Sequence, residues 1–428
     1  MDKPFDAIVV GAGPAGATCA YSMAMAGLEV LLVERGRFPG AKNMWGGAYY
    51  GPAMAELFPD FFEAAPYERY VGCHKVSMLS EKASLSVEFA AQSFSERPYN
   101  GIILLRSKFD RWLSGQAEKA GAVLASGLEA EGLVKSGGRV VGIKAGGDEI
   151  GAHVVVACDG VNSVLAREAG LREELRPRYV KQGVKEIIQL SPKEIEARFN
   201  LDEKEGVAWE FFGSFTKGVP GGGFIYTNKD SLSVGVVAQL EGLVERKKTI
   251  NALLDEFKCH PLVARLIDGG KLAEYSAHLI PLPAVCPSRL YTDGMLVAGD
   301  AASLVLATGL ILEGANLAVA SGVAAARAVI RAKERNDFSA GSLSHYQSLL
   351  EDGFVLKDLR TFAGSVAFLE SPRIYDVYPE MACAFAERIF TSDGKPRKHA
   401  WRLFRETMRG RISMARLASD FLKGIGSL

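Results

Sequence analysis

Cysteine is scarce in this chain and never clustered. The six cysteines, at positions 19, 73, 158, 259, 286 and 383 of 428, include no C-x-x-C pair and no metal-like group. An iron–sulfur cluster needs closely spaced thiolates, so the chain is not expected to hold one. The cysteines read instead as reduced, mostly buried thiols of an intracellular protein. Net charge is absent too: Lys+Arg and Asp+Glu number 50 each, so nothing global points to nucleic acid. The six histidines are scattered without ligand spacing, and no metal site is expected. No uninterrupted apolar run reaches the ~20 residues of a membrane span. The stretch from Leu296 to Ile330 comes nearest, but Asp300, Glu313 and Arg327 interrupt it, and it reads as a buried strand, loop and helix. The first strand is expected after only four residues, which leaves no room for a signal peptide. Internal repeats and low-complexity tracts are lacking as well.

Glycine, by contrast, is plentiful at 46 residues, and one cluster of it organises the N-terminal region. Ala7 to Val10 reads as a buried strand that stops at Gly11-Ala12-Gly13-Pro14-Ala15-Gly16. Ala17 to Ala26 then has the small, apolar look of a tightly packed helix, and Glu29 to Glu34 reads as a second strand with an acidic end. Strand, G-x-G-x-x-G, helix, strand and terminal acid form the dinucleotide fingerprint. Gly11 permits the turn, Gly13 lets the backbone approach a pyrophosphate, and Gly16 lets the helix pack on the strand. Pro14 and Ala15 open the helix, whose free N–H groups and positive dipole end suit a phosphate. Glu34, with Arg35 beside it, is placed to meet ribose hydroxyls. A polar loop follows, with Lys42, Asn43, Gly46 and Gly47.

Farther on, residues of about 52 to 70 look like a short helix, and Val76 to Phe89 alternates like a strand or hairpin. Arg106-x-x-Phe109-Asp110 leads into a helix through Glu118. Ala122–Leu124 and Val140–Ile143 read as short strands, and Ala152 to Gly160 as a buried strand ending in Asp159-Gly160. From about Pro177 to Leu290 the character changes. Val184 to Leu190 alternates like a strand, Ser191-Pro192 signals a capped helix start, and Gly223 to Val237 reads as a hairpin turning at Asn228 to Asp230. This block is taken as an antiparallel-sheet domain inserted into a nucleotide domain that resumes at Gly294 to Asp300 and the long helix after Gly314. The divisions are 1–72, 100–176 and 291–340 for the nucleotide domain, 73–99 and 177–290 for the sheet domain, and 341–428 for a helical C-terminal region. From Lys395 to Lys423, basic residues interleave with Leu403, Phe404, Met408, Phe421 and Leu422 at helical spacing. Such a tail suits an anionic surface, whether lipid or an acidic partner, or a docked terminal helix with solvated charges.

Taken together, the fingerprint, Arg106-x-x-Phe-Asp, Ala157-Cys-Asp-Gly-Val-Asn-Ser163 and Asp293-Gly-Met-Leu-Val-Ala-Gly-Asp300 resemble the FAD-binding domain shared by aromatic hydroxylases, geranylgeranyl reductases and electron-transfer flavoprotein–quinone oxidoreductases. The resemblance implies an α/β fold, α+β overall, with a Rossmann-like FAD domain, and it implies FAD as cofactor. In that group the acid of the last motif bonds the ribityl chain, and Asp300 stands at the matching position. Arg106, Asp159 and Gly299 belong to the same motifs. Finer signals are similar to the quinone oxidoreductases: Lys42-Asn-Met-x-Gly-Gly47, Gly221-Gly-Gly-Phe-Ile-Tyr226, Thr308-Gly309 and Glu313-Gly314. Ser371 to Tyr375 and Phe390 to Gly394 resemble the shorter bacterial FixC-type branch. Longer members carry a cysteine-ligated iron–sulfur domain, and this sequence has none.

The resemblance implies electron transfer from a two-subunit (alpha and beta) electron-transfer flavoprotein to quinone. It further implies a separate ferredoxin-like iron–sulfur protein and a place at the inner face of the cell membrane. Some such assemblies split the electrons of NADH between quinone and ferredoxin; the flavin motif leaves that open. The helix opening at Gly314-Ala315-Asn316 is expected to direct its positive end at the reduced flavin, with Trp45 and Tyr49 lining the approach. Ser163 and Arg167 are expected to support the Asp159-Gly160 turn. Two alternatives remain: an isoprenoid double-bond reductase of the geranylgeranyl type, and a flavin-bound docking subunit without turnover.

Overall fold

A computed structural model describes residues 3–42, 47–283, 286–309 and 312–427. Its centre is a parallel sheet. Phe5–Val10 lies between Val30–Glu34 and Asp148–Ala157, with Val123–Ser126 beyond the former and Met295–Val297 beyond the latter, all parallel. Ile8, Val9, Leu32, Val155 and Val156 are almost wholly buried. Both faces of this sheet are covered, which is why its strands read as continuous apolar runs. Ala130–Ser136 and Arg139–Ala145 form an antiparallel flap on the first part of Asp148–Ala157.

Two helices, Pro14–Met25 and Ala315–Glu334, cross on the sheet at short range. A Cβ at Gly322 would lie 2.1 Å from the Ala15 carbonyl oxygen, so glycine sets the closeness of the crossing. Ala315–Glu334 is long and apolar enough by composition to cross a membrane, but 72% of its apolar window is buried in the protein. It is a core helix.

The second sheet has nine strands among the described residues. Lys271–Pro281, Val180–Gln189, Ser231–Gln239, Gly221–Thr227 and Glu205–Gly213 follow one another antiparallel. Glu205–Gly213 then pairs in parallel with Tyr67–Leu79, a single departure from the antiparallel expectation. The two strands lie far apart in the chain and no hairpin joins them. Ser84–Ala90 pairs antiparallel with Tyr67–Leu79, and Gly101–Leu104 and Ala48–Tyr50 complete the sheet, with Ala48 opposite Ile103 and Tyr70 opposite Ile102. Both segments fall within the stretches that the sequence divisions give to the nucleotide domain. One face of the sheet is closed by Pro192–Phe199, Ile250–Cys259 and Pro261–Ile267, which pack Phe199, Phe257 and Val263 over Trp209, Phe211 and Val234.

Local signals explain most boundaries. Ser191 Oγ accepts from Glu194 N while the Glu194 carboxylate accepts from Ser191 N, a complete capping box ahead of Pro192. The hairpin turns between Thr227 and Ser231, where Asn228 N bonds Ser231 O. The helix expected over residues 52 to 70 is shorter and broken. Ala53–Leu57 and Phe61–Ala64 are helical, then Ala65 turns extended (φ −77°, ψ 142°) and a strand begins at Tyr67. Pro66 is the cause, since the residue before a proline is driven out of the helical region.

At the C-terminus, the basic tail folds as two helices, Ala400–Met408 and Met414–Ser427. The second is anchored to the body: the Asp420 carboxylate accepts from Arg373 (2.6 and 3.1 Å) and from the Tyr378 hydroxyl (2.5 Å). Its outer side leaves Phe421, Leu422 and Ile425 exposed.

Candidate cofactor site and active-site cavity

The C-terminal ends of the parallel strands open onto a cavity of about 350 Å³, closed on its far side by the second sheet. This is where open α/β sheets take ligands, because the strand ends and the helix N-termini converge there. Gly11, Glu34, Cys158, Asp159 and Asp300 all reach it from successive strand ends.

Gly11 holds φ +100°, and a Cβ on it would meet the Cys158 carbonyl oxygen at 2.3 Å. Gly16 does not line the cavity. A Cβ there would fall 1.8 Å from the Gly11 oxygen, so its part is packing the helix onto the turn. Gly13, Pro14 and Ala15 do line the cavity, and the helix they open has no side-chain cap. Its first N–H groups and positive end therefore remain for an anionic ligand. Glu34 is held by two backbone donors, Gly36 N at 2.6 Å and Ala12 N at 3.1 Å, and Arg35 and Lys42 stand with it at the rim.

Arg106 lies over Gly13, its Nη2 3.1 Å from where a Cβ would be. Asp110, one helical turn on and wholly buried, clamps the guanidinium with contacts of 2.6 to 2.8 Å. The Arg-x-x-Phe-Asp spacing is thus a bidentate brace.

Asp159 also lines the cavity, but both its oxygens are engaged, by Ser163 Oγ at 2.7 Å and Leu165 N at 3.3 Å. Burial holds its carboxyl above the usual range despite these donors. Ser163 supports the turn as expected. Arg167 does not: its side chain is exposed, and the arginine under the turn is Arg172. Arg172 Nη1 donates to the carbonyls of Val161 (2.8 Å) and Ala301 (3.1 Å), tying the Asp159 turn to the Asp300 turn.

Asp300 sits in the tight turn Gly299–Ala302 that follows Met295–Val297. Its carboxylate makes no hydrogen bond among the described residues and does not cap the turn. Burial raises its pKa, against the pull of His278, Arg106 and Arg172. An acid turned into a cavity with its acceptors unspent fits a polyol ligand. Gly299, Gly309, Gly314 and Ala315 line the same space, and the helix that starts after Gly314 again lacks a side-chain cap. Asn316 is turned aside: its Nδ2 donates to Glu313 Oε2 at 2.6 Å, and Glu313 is the residue on the cavity wall. Gly47 lies off the cavity, its carbonyl accepting from Leu104 N. Asn43, Trp45 and Gly46 fall outside the described residues. Tyr49 does not line the approach. It is buried with Met54, Phe58 and Phe61 in a separate core, because strand alternation points it away from the second sheet's cavity face.

Two family models match the chain. Residues 6–96 match the FAD dependent oxidoreductase model and residues 366–428 the ETF-QO/FixC family C-terminal domain. The chain is 42% identical over its whole length, and over all of that protein, to a probable electron transfer flavoprotein-quinone oxidoreductase, YdiS, of Escherichia coli K12. The chain belongs to the ETF-QO/FixC family. It is equally 42% identical to the protein FixC of the same strain, over 98% of each chain. Among solved structures, a geranylgeranyl bacteriochlorophyll reductase-like protein from Thermoplasma acidophilum superposes with a TM-score of 0.74 over 98% of this chain and 99% of its own, at 21% identity. The flavin-dependent halogenase CndH gives 0.63 over 99% and 90% at 20% identity. These likenesses show the fold. This ETF-QO/FixC protein is an FAD-dependent oxidoreductase.

The far wall of the cavity is what the sequence left unread. Lys181, Glu210, Tyr226 and His278 face it from the second sheet. Burial pushes the Lys181 amine down to about 8 and the Glu210 carboxyl up to about 8. Burial lowers His278 as well, with Asp300 pulling it back. One signal was there to find: Glu210 is the only charged residue between Val207 and Phe212, an acid inside an otherwise apolar strand.

Proposed function

We propose that this ETF-QO/FixC protein accepts electrons from an electron-transfer flavoprotein and passes them to a quinone. The observation that carries the reading is a cavity with two unlike ends. Strand ends and helix N-termini line one end. Phe212, Phe224, Val237 and Ile280 of the second sheet line the other. The relatedness to a probable electron transfer flavoprotein-quinone oxidoreductase supports the same assignment.

On this reading Gly11, Gly13 and Ala15 receive the pyrophosphate, Glu34 the adenosine ribose, and Asp300 a hydroxyl of the ribityl chain. FAD, when bound, supplies reversible two-electron chemistry. The uncapped N-terminus at Gly314-Ala315 favours negative charge nearby, and the apolar wall excludes water from the acceptor's side. A two-subunit flavoprotein is the donor, a small ferredoxin-like protein the companion, and the inner membrane surface the source of quinone. The exposed side chains of Trp401, Phe421, Leu422 and Ile425 among basic residues suit that surface.

The test is anaerobic. Holoprotein reduced by its flavoprotein partner is mixed with a water-soluble quinone, and flavin reoxidation is followed. Quinone-dependent reoxidation is expected; its absence, with partner proteins present, rejects the reading.

A further inference from the structure

Alternation along Glu205–Gly213 gives this strand two faces. Val207, Trp209 and Phe211 pack under the helices, while Glu210 and Phe212 look into the cavity. Glu210 is 7% exposed, and an ionised carboxylate so placed is costly unless paired with a cation. No ion pair with Lys, Arg or His is made among the described residues. Its carboxyl accepts a hydrogen bond from the Tyr226 hydroxyl, at 3.3 Å to Oε1. Tyr226 comes from the adjacent strand, Gly221–Thr227, and its ring stacks on Phe224 at 5.1 Å. Tyr50, from Ala48–Tyr50, also faces this acid and feels both Glu210 and Glu313. His74, from Tyr67–Leu79, stacks on Tyr50 at 5.8 Å, and burial keeps that imidazole toward its neutral form. Near neutral pH the group on the apolar wall is therefore a carboxylic acid with a proton to give.

We propose that Glu210 is the proton donor to the carbonyl oxygen of the bound quinone, with Tyr226 positioning its carboxyl. The inference rests on the quinone reading above. Turning a quinone into a quinol takes two electrons and two protons. FAD, when bound and reduced, would supply a hydride equivalent, which accounts for both electrons and one proton. The Glu210 O–H bond breaks to give the second proton to the developing oxyanion, leaving a carboxylate that solvent reprotonates before the next turnover. A general acid of this kind is worth about 100-fold or more in rate.

The experiment is stopped-flow reoxidation of reduced holoprotein by a water-soluble quinone across pH, beside infrared spectroscopy of the oxidised holoprotein. In the wild type the rate should fall as pH rises through about 8, and a protonated-carboxyl band should be present at neutral pH. Glu210→Gln should retain FAD, lose that band, slow reoxidation by about 100-fold and remove the pH limb. Tyr226→Phe withdraws a donor that favours the ionised form, so its limb should move to higher pH; it carries the test should Glu210→Gln not accumulate folded. Glu210→Gln reoxidising at the wild-type rate with the limb intact, or a wild type without the carboxyl band, overturns the donor role alone. A Tyr226→Phe limb that stays in place overturns the positioning role. Wild-type protein that passes no electrons to quinone overturns the quinone reading and the donor role with it.

Discussion

Asp300 and Glu210 are both buried acids on one cavity, yet their surroundings give them opposite tasks. Burial raises the pKa of both, but at Asp300 His278, Arg106 and Arg172 oppose the rise and pull toward the charged form, which suits it to accept hydrogen bonds. A hydrogen bond to a charged group contributes about 1.5–3 kcal/mol. Asp300→Ala should therefore weaken FAD retention by about 10- to 100-fold, measured as flavin content after dialysis; unchanged content removes the assignment. Glu210 makes no ion pair among the described residues, and burial holds it protonated. The folded protein binds that proton more tightly than the unfolded chain, so stability falls as pH rises from the ordinary glutamate value toward about 8. Glu210→Gln has no proton to lose. Its melting temperature should rise relative to wild type as pH goes from about 5 to about 8, and a constant difference would contradict the protonated state.

At the scale of elements, two glycines decide how closely the cofactor-facing helices pack. Gly16 seats Pro14–Met25 on the turn after the first strand, and Gly322 lets Ala315–Glu334 cross it. Gly322→Val should cost about 2–3 kcal/mol by overpacking and loosen the flavin as the two N-termini part. Chemical denaturation and flavin content together check this, and a stable variant with full flavin would show that the crossing tolerates relaxation. Ser191→Ala breaks the capping box far from the cavity and should cost about 1 kcal/mol with flavin content unchanged. Elements such as these were legible because their causes are local. Strand, glycine turn and terminal acid stand within thirty-four residues, and Ser191, Pro192 and Glu194 are close neighbours in the chain. Tyr49 was misread for the converse reason: which face of a three-residue strand meets the cavity depends on pairing with Gly101–Leu104, and nothing local encodes it.

At the scale of the whole molecule, a nucleotide sheet and a second sheet face each other across the cavity, and the C-terminal helices lean on the body through Asp420, Arg373 and Tyr378. The anchoring makes deletion of the tail a poor probe of membrane contact, since it would uncover the side of Phe368 now packed near Gly424. Replacing Phe421 and Leu422, both largely exposed, by serine leaves the anchor in place. This double variant should sediment less with anionic liposomes and keep its FAD; equal sedimentation rejects this helix as the contact. The sequence by itself determined the cofactor end of the protein, because turn chemistry, helix start and strand-end acid are set by neighbouring residues. Only the tertiary structure decided the acceptor end. Glu210, Tyr226, Lys181 and His278 come from four strands spread over a hundred residues, and the register of a sheet, not spacing along the chain, puts them on one face.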